Sequence, residues 1–155
     1  MRLEACELSR SLLQKILFVC TANIHRSRFA EEVFNHLAIQ ENKEYRAFSA
    51  GLRVGDFSYR EIYYPALEHL ESFNIKPIRP KESSMHIDDV ILEDYYKIIC
   101  MDKNEHKPMV DANPKLSKYK FEYWEIVDIP KVESTVSLPM CYEKVVKLFK
   151  NINLK

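Results

Sequence analysis

The chain has 155 residues, 46% hydrophobic and 30% charged, which is the length of one domain with apolar material enough for a core. Lys plus Arg and Asp plus Glu each number 23, so the formal net charge is zero and no global field draws the protein to nucleic acid or an anionic membrane. No apolar run approaches the ~20 residues of a membrane span; Glu4 and Glu7 precede only a short apolar stretch, unlike a secretory signal; and four scattered cysteines without a Cys-x-x-Cys pair fit reduced thiols in a cytosol.

Residues 1–14 read as an N-terminal extension, with Leu3, Cys6, Leu8, Leu12 and Leu13 compatible with a short helix or with a frayed end. Lys15 to Cys20 is predicted as the first strand. The first helix is predicted over Ser27 to Gln40, because Phe29, Ala30, Val33, Phe34 and Leu37 recur at spacings of three and four. Tyr45 to Ser49 reads as a second strand. Pro65 to Phe73 carries Ala66, Leu67, Leu70 and Phe73 at helical spacing, and Pro77 and Pro80 hold an extended connection after it. Ser84 to Asp94 is predicted as a short helix with Met85, Val90 and Ile91 on its apolar side. Tyr96 to Met101 and Phe121 to Trp124 are strands, and Met140 to Ile152 is an amphipathic helix. Glycine occurs only at 51 and 55, so turns rest on Asn, Asp, Pro and Ser. Strands alternating with helices predict a single α/β domain: a parallel, about four-stranded sheet with helices on both faces. Ligands of such sheets lie beyond the carboxyl ends of the strands, where Cys20 falls.

The segment Ile16 to Ser27 holds the chemistry. A thiol stands at the entrance of a short strand-to-helix loop and a guanidinium, Arg26, at its exit. Loop N–H groups and the positive end of the helix dipole converge there on one point, which suits a tetrahedral oxyanion. Arg26 adds a planar fork that phosphate accepts. A free thiol has a pKa of about 8.5, but at a helix N-terminus beside a cation thiolates fall to roughly 3.5–7.5, which turns a cysteine into a nucleophile. Ser27 is placed to donate to the sulfur, and Asn23 to brace the loop through its side chain.

Val19, Cys20, Asn23, Arg26, Ser27, Ala30 and Glu31 together resemble the phosphate-loop signature of the low-molecular-weight protein tyrosine phosphatases. Ser49-Ala50-Gly51, Ile98 to Asp102, and Trp124 to Asp128 resemble that family's later motifs in the same order, so the similarity spans about residues 15 to 152. The resemblance implies a phosphatase-like domain over 15–155 with its phosphate loop between the first strand and first helix. Cys20 is then the nucleophile, Arg26 the oxyanion ligand and Asp128 the general acid. Thr21, Ala22, Asn23, Ile24, His25 and Ser27 bind the substrate phosphate. It further implies phosphotyrosine on a protein or peptide as substrate, a phosphocysteine intermediate, no metal and no cofactor. Departures from the family pattern are Ala22 for Gly, His25 for a common second Cys, Arg28 for Pro, and Ile129 between Asp128 and Pro130. With His25 in place, protection of Cys20 by a neighbouring disulfide is not expected.

Other residues carry plainer readings. His25 is expected to point to solvent, the alternative being an imidazolium that lowers the thiolate pKa further, and Arg28 to be a solvated first-turn residue, the alternative being contact with a second anionic group on a phosphorylated partner. Asp102 reads as a helix N-cap rather than an acid. Tyr59, Tyr63 and Tyr64 are candidates for a cleft wall, Tyr95 and Tyr96 for packing, and Trp124 for either. Cys6, Cys100 and Cys141 read as small buried hydrophobes. Two alternatives stand beside the phosphatase: a non-catalytic phosphate-binding relative, and an arsenate reductase, for which closely spaced cysteines after residue 80 are missing.

Overall fold

The computed structural model describes residues 15–54, 61–128 and 131–152. The N-terminal extension with Cys6, and Tyr59, Ile129 and Pro130, lie outside the described residues. Strand β1 (Lys15–Cys20) sits at the centre of a four-stranded sheet, pairing in parallel with β2 (Arg46–Gly51) on one side and β3 (Lys97–Cys100) on the other. The edge strand β4 (Glu122–Tyr123) is parallel to β3, so the order is β2-β1-β3-β4.

An apolar run such as Ile16 to Val19 makes sense only when both faces of a strand are covered. The side chains alternate as a pleat requires. Ile16, Phe18 and Cys20 join one buried cluster with Phe29, Val33, Phe34, Leu70, Leu138, Cys141 and Val145. Leu17 and Val19 join a second, with Ile87, Leu92, Ile98, Cys100, Val110 and Leu116. The first face is covered by α1 (Arg26–Gln40), α2 (Tyr64–Ser72) and α4 (Ser134–Asn151), which pack against one another. The second is covered by α3 (Lys103–Asp111) and the turns before β3. The expected architecture is therefore the observed one.

Scarce glycine is replaced by asparagine where the backbone turns left-handed. Asn42 and Asn74 follow the ends of α1 and α2 at φ 57° and 60°. The next N–H groups, of Lys43 and Ile75, return to Ala38 O at 2.8 Å and Leu70 O at 2.9 Å. These are the 6→1 bonds of a Schellman end, a place usually given to Gly.

Two predicted elements need correction. Residues 84–94 form no α-helix: they make two 3₁₀ turns, Ile87–Asp89 and Leu92–Asp94. Ile87 and Leu92 are the buried residues, whereas Met85 and Ile91 are 44% and 65% exposed. The β-branched Val90 and Ile91 between the turns stay extended, as their stiff side chains favour. The last helix begins six residues early, at Ser134, and runs through Pro139. Burial of Ser137, Leu138 and Cys141 outweighs the hydrogen bond that proline removes.

Candidate active site

Strand β1 delivers Cys20 to the carboxyl edge of the sheet, and the chain reverses through residues 21–25 into α1. Asn23 takes φ 57° in this loop, which Asn tolerates better than most side chains. Gly51 lets β2 approach: a Cβ there would lie 2.6 Å from Thr21 O and 2.6 Å from Val54 Cγ2. Leu52 and Arg53 then donate backbone N–H bonds to Cys20 O and Thr21 O, both at 2.9 Å.

The proton at the sulfur can be traced from the backbone. Met85 N–H donates to Asn23 Oδ1 at 2.8 Å, which fixes that amide's orientation. Asn23 Nδ2 therefore faces Ser27 Oγ at 2.9 Å and can only donate to it. Ser27's own hydroxyl is thus directed to Cys20 Sγ, 2.9 Å away. Asn23 and Ser27 are both buried, so this chain of donors has no competing solvent.

Arg26 is 1% exposed. Its Nη1 donates to Ile126 O at 2.9 Å and its Nη2 to Glu105 Oε2 at 3.0 Å, while Asp128 Oδ2 lies 3.3 Å from Nη2. Nε is buried and meets no acceptor among the described residues. Burial works against the charge, but the Cys20 charge, the Glu105 hydrogen bond and the Asp128 charge outweigh it and hold the guanidinium above the ordinary arginine value. Ile126 is placed by its N–H bond to Met101 O at 2.7 Å, which carries the segment from β4 towards Asp128 across the mouth of the loop.

Residues 15–145 match the family model for low molecular weight phosphotyrosine protein phosphatase. The chain belongs to this family. No curated protein sequence matches it. Among solved structures, the low molecular weight protein tyrosine phosphatase from T. tengcongensis is 21% identical, with TM-score 0.69 over 88% of this chain and 95% of that one. YfkJ from Bacillus subtilis is 21% identical, with TM-score 0.73 over 89% and 93%. An arsenate reductase from Archaeoglobus fulgidus is 26% identical, with TM-score 0.62 over 88% and 99%. The protein is thus a cysteine-based phosphatase of low molecular weight type, on a fold shared with arsenate reductases and with the YwlE arginine phosphatase.

The phosphatase loop brings Cys20, Asn23, Arg26 and Ser27 together as the sequence predicts. Thr21, Ala22 and Ile24 are half-buried along it, and Ile24 O accepts the Tyr63 N–H. Three expectations are corrected. His25 does not point to solvent: it is 5% exposed, between Asp128 and Ser134. Arg28 is not solvated: it is 1% exposed, with Nη1 on Glu82 O at 2.9 Å and Nη2 on Arg79 O at 2.6 Å. It thus acts as a strut for the connection after α2. Glu32 completes that clamp by accepting the N–H groups of Ile78 and Arg79 at 2.7 and 2.9 Å. Tyr96 is 49% exposed rather than packed, whereas Tyr95 packs on the second cluster. Tyr63 borders the loop as a rim residue, Trp124 packs against Phe18, and Asp102 caps α3 by accepting the Asn104 N–H. Ser49 donates to the buried Glu31 at 2.5 Å, so two of the resemblance motifs meet. Burial pushes the Cys141 thiol up to about 12 and the Cys100 thiol higher, which leaves both inert.

Glu105 escaped the sequence reading. It stands three residues after the Asp102 cap, a spacing that reads as a capping box. Its carboxylate instead turns to the phosphate loop, where Oε2 accepts from Thr21 Oγ1 and Arg26 Nη2 and faces His106 Nε2 at 3.3 Å. The Asp102 N–H donates to His106 Nδ1 at 3.0 Å, so the ring's proton is on Nε2 and points at this group. Burial would raise the Glu105 carboxyl, but bonds from His106, Arg26 and Thr21 and the Arg26 charge hold it well below the usual carboxylate range. A depressed folded-state pKa stabilises the fold above the unfolded pKa of about 4.3, and the benefit fades as pH falls through the folded value. Glu105→Gln is expected to cost roughly 1.5–3 kcal/mol at pH 7 in urea unfolding. The difference from the parent should shrink below about pH 4.3. A gap constant with pH would show that the charge is immaterial.

Proposed function

We propose that this phosphatase hydrolyses phosphotyrosine in proteins or peptides of the cytosol through a phosphocysteine intermediate. The Cys20 thiolate attacks phosphorus in line. The loop amides and Arg26 Nε take the equatorial oxygens as charge spreads over them. The P–O bond to the phenol breaks, and Asp128 as carboxylic acid gives its proton to the leaving oxygen. Water then attacks the phosphocysteine, Asp128 as carboxylate takes the water proton, and the P–S bond breaks with Ser27 O–H donating to the departing sulfur.

The observation that carries this reading is the pairing of a serine-directed sulfur with a buried guanidinium whose Nε has no acceptor among the described residues. Tyr63, 39% exposed and tied to Ile24, gives the mouth an aromatic rim suited to a phenyl ring. Arsenate reduction, suggested by the Archaeoglobus likeness, finds less support: beyond Cys20, the described residues offer only the buried thiols Cys100 and Cys141.

The test is turnover across phosphotyrosine, phosphoserine and phosphoarginine peptides and a series of aryl phosphates. Phosphotyrosine should be preferred. Asp128→Ala should slow poor leaving groups by roughly 10²–10⁴-fold and good ones much less. Equal loss across the series would remove Asp128 from the acid role, and tight orthovanadate binding without turnover would favour a non-catalytic phosphate-binding relative.

A further inference from the structure

One imidazole joins three parts of the rim. His25 is the last residue of the phosphate loop, immediately before α1. Its Nε2 lies 2.9 Å from Ser134 Oγ, in the first turn of α4. Its Nδ1 lies 3.3 Å from Asp128 Oδ1. Its ring meets Tyr63 edge-on, with centroids 5.6 Å apart at 76°. The acid segment is fixed through its backbone, with Ile126 bonded to Met101 O and to Arg26 Nη1, while the Asp128 side chain is 35% exposed.

His25 Nδ1 is buried and makes no hydrogen bond among the described residues, so Asp128 Oδ1 at 3.3 Å is its close polar neighbour rather than a made acceptor. A serine hydroxyl can accept from or donate to Nε2, so Ser134 supports the ring in either tautomer. Arg26 approaches the other carboxyl oxygen, Oδ2. Asp128 therefore has a neighbour from the phosphate-loop region at each carboxyl oxygen, Arg26 at Oδ2 and His25 at Oδ1, both at 3.3 Å.

We propose that His25, braced by Ser134, is a positioning residue that holds Asp128 over the phosphate loop. The proposal rests on the acid role given to Asp128 above and adds a residue whose side chain does not itself meet the phosphoryl group. A ring that acts through Asp128 makes its loss visible only where a proton must be delivered.

A double-mutant cycle with His25→Gln and Asp128→Ala tests this, using para-nitrophenyl phosphate as the good and phenyl phosphate as the poor leaving group. His25→Gln is expected to lower kcat for phenyl phosphate by about 10–100-fold, the scale of a misplaced catalytic group. KM and orthovanadate inhibition should stay within about twofold, and para-nitrophenyl phosphate should be slowed far less. In the Asp128→Ala background, His25→Gln should change nothing further. Losses that multiply in the double variant, or a weakened vanadate affinity with equal slowing of both esters, would overturn the proposal by making the ring a scaffold of the loop. Ser134→Ala frees the ring without emptying its place and should move the same parameters in the same direction, which keeps the question answerable should His25→Gln fold poorly. If Asp128→Ala alone shows no leaving-group dependence, the acid assignment fails first, and that outcome is separable from an additive cycle.

Discussion

Cys20→Ser is expected to abolish steady turnover of every phosphate ester while leaving the fold intact. The residue is 2% exposed at the end of β1, and a hydroxyl there occupies less space than the sulfur and keeps the Ser27 contact. What it loses is ionisation: a serine hydroxyl stays protonated where a cysteine forms a thiolate, and an un-ionised hydroxyl is a poor nucleophile. The oxyanion site itself stays, because its donors come from the loop backbone and Arg26. Phosphate should therefore still raise the melting temperature of the variant, as any ligand of the native state does. Normal hydrolysis of para-nitrophenyl phosphate by Cys20→Ser would overturn the thiolate mechanism.

Arg26→Lys is the second large effect. A lysine preserves charge but replaces a planar fork with a point, and Arg26 uses its fork fully: Ile126 O on one nitrogen, Glu105 and Asp128 at another, and Nε left over. The expected loss in kcat/KM is roughly 10²–10³-fold, the value of an oxyanion donor. Orthovanadate affinity should fall with it, since the same atoms hold both anions. Stability should drop by about 1–3 kcal/mol as the Ile126 carbonyl and Glu105 lose geometry. Turnover lost with vanadate affinity intact would show that Arg26 does not hold the phosphoryl oxygens.

The parts of this site that were legible are those whose members are close in the chain. Cys20, Asn23, Arg26 and Ser27 fall within eight residues, between a strand and a helix that their own apolar patterns define. Steric rules of a short strand-to-helix loop then leave little freedom for where these side chains go. The hidden parts are those whose partners come from afar. His25 and Arg28 looked like surface residues because nothing near them in sequence needs a cation or a ring. Their partners, Ser134, Asp128, Glu82 and Arg79, arrive from other elements. Glu105 gave no signal in the sequence beyond a spacing from Asp102 that suits a capping box, because its partners Thr21 and Arg26 come from the phosphate loop. The early start of α4 was masked by Pro139, a local penalty that packing on α1 exceeds.

By itself the sequence determined a parallel α/β domain with a sulfur and a guanidinium converging at the carboxyl edge of its central strand, since hydrophobic period and loop length are local properties of a chain. The resemblance named Asp128 as the acid, but tertiary structure alone brought the Glu105 carboxylate and the His25 imidazole around that pair. Buried polar groups must find partners wherever the fold brings them, and chain distance places no limit on that search.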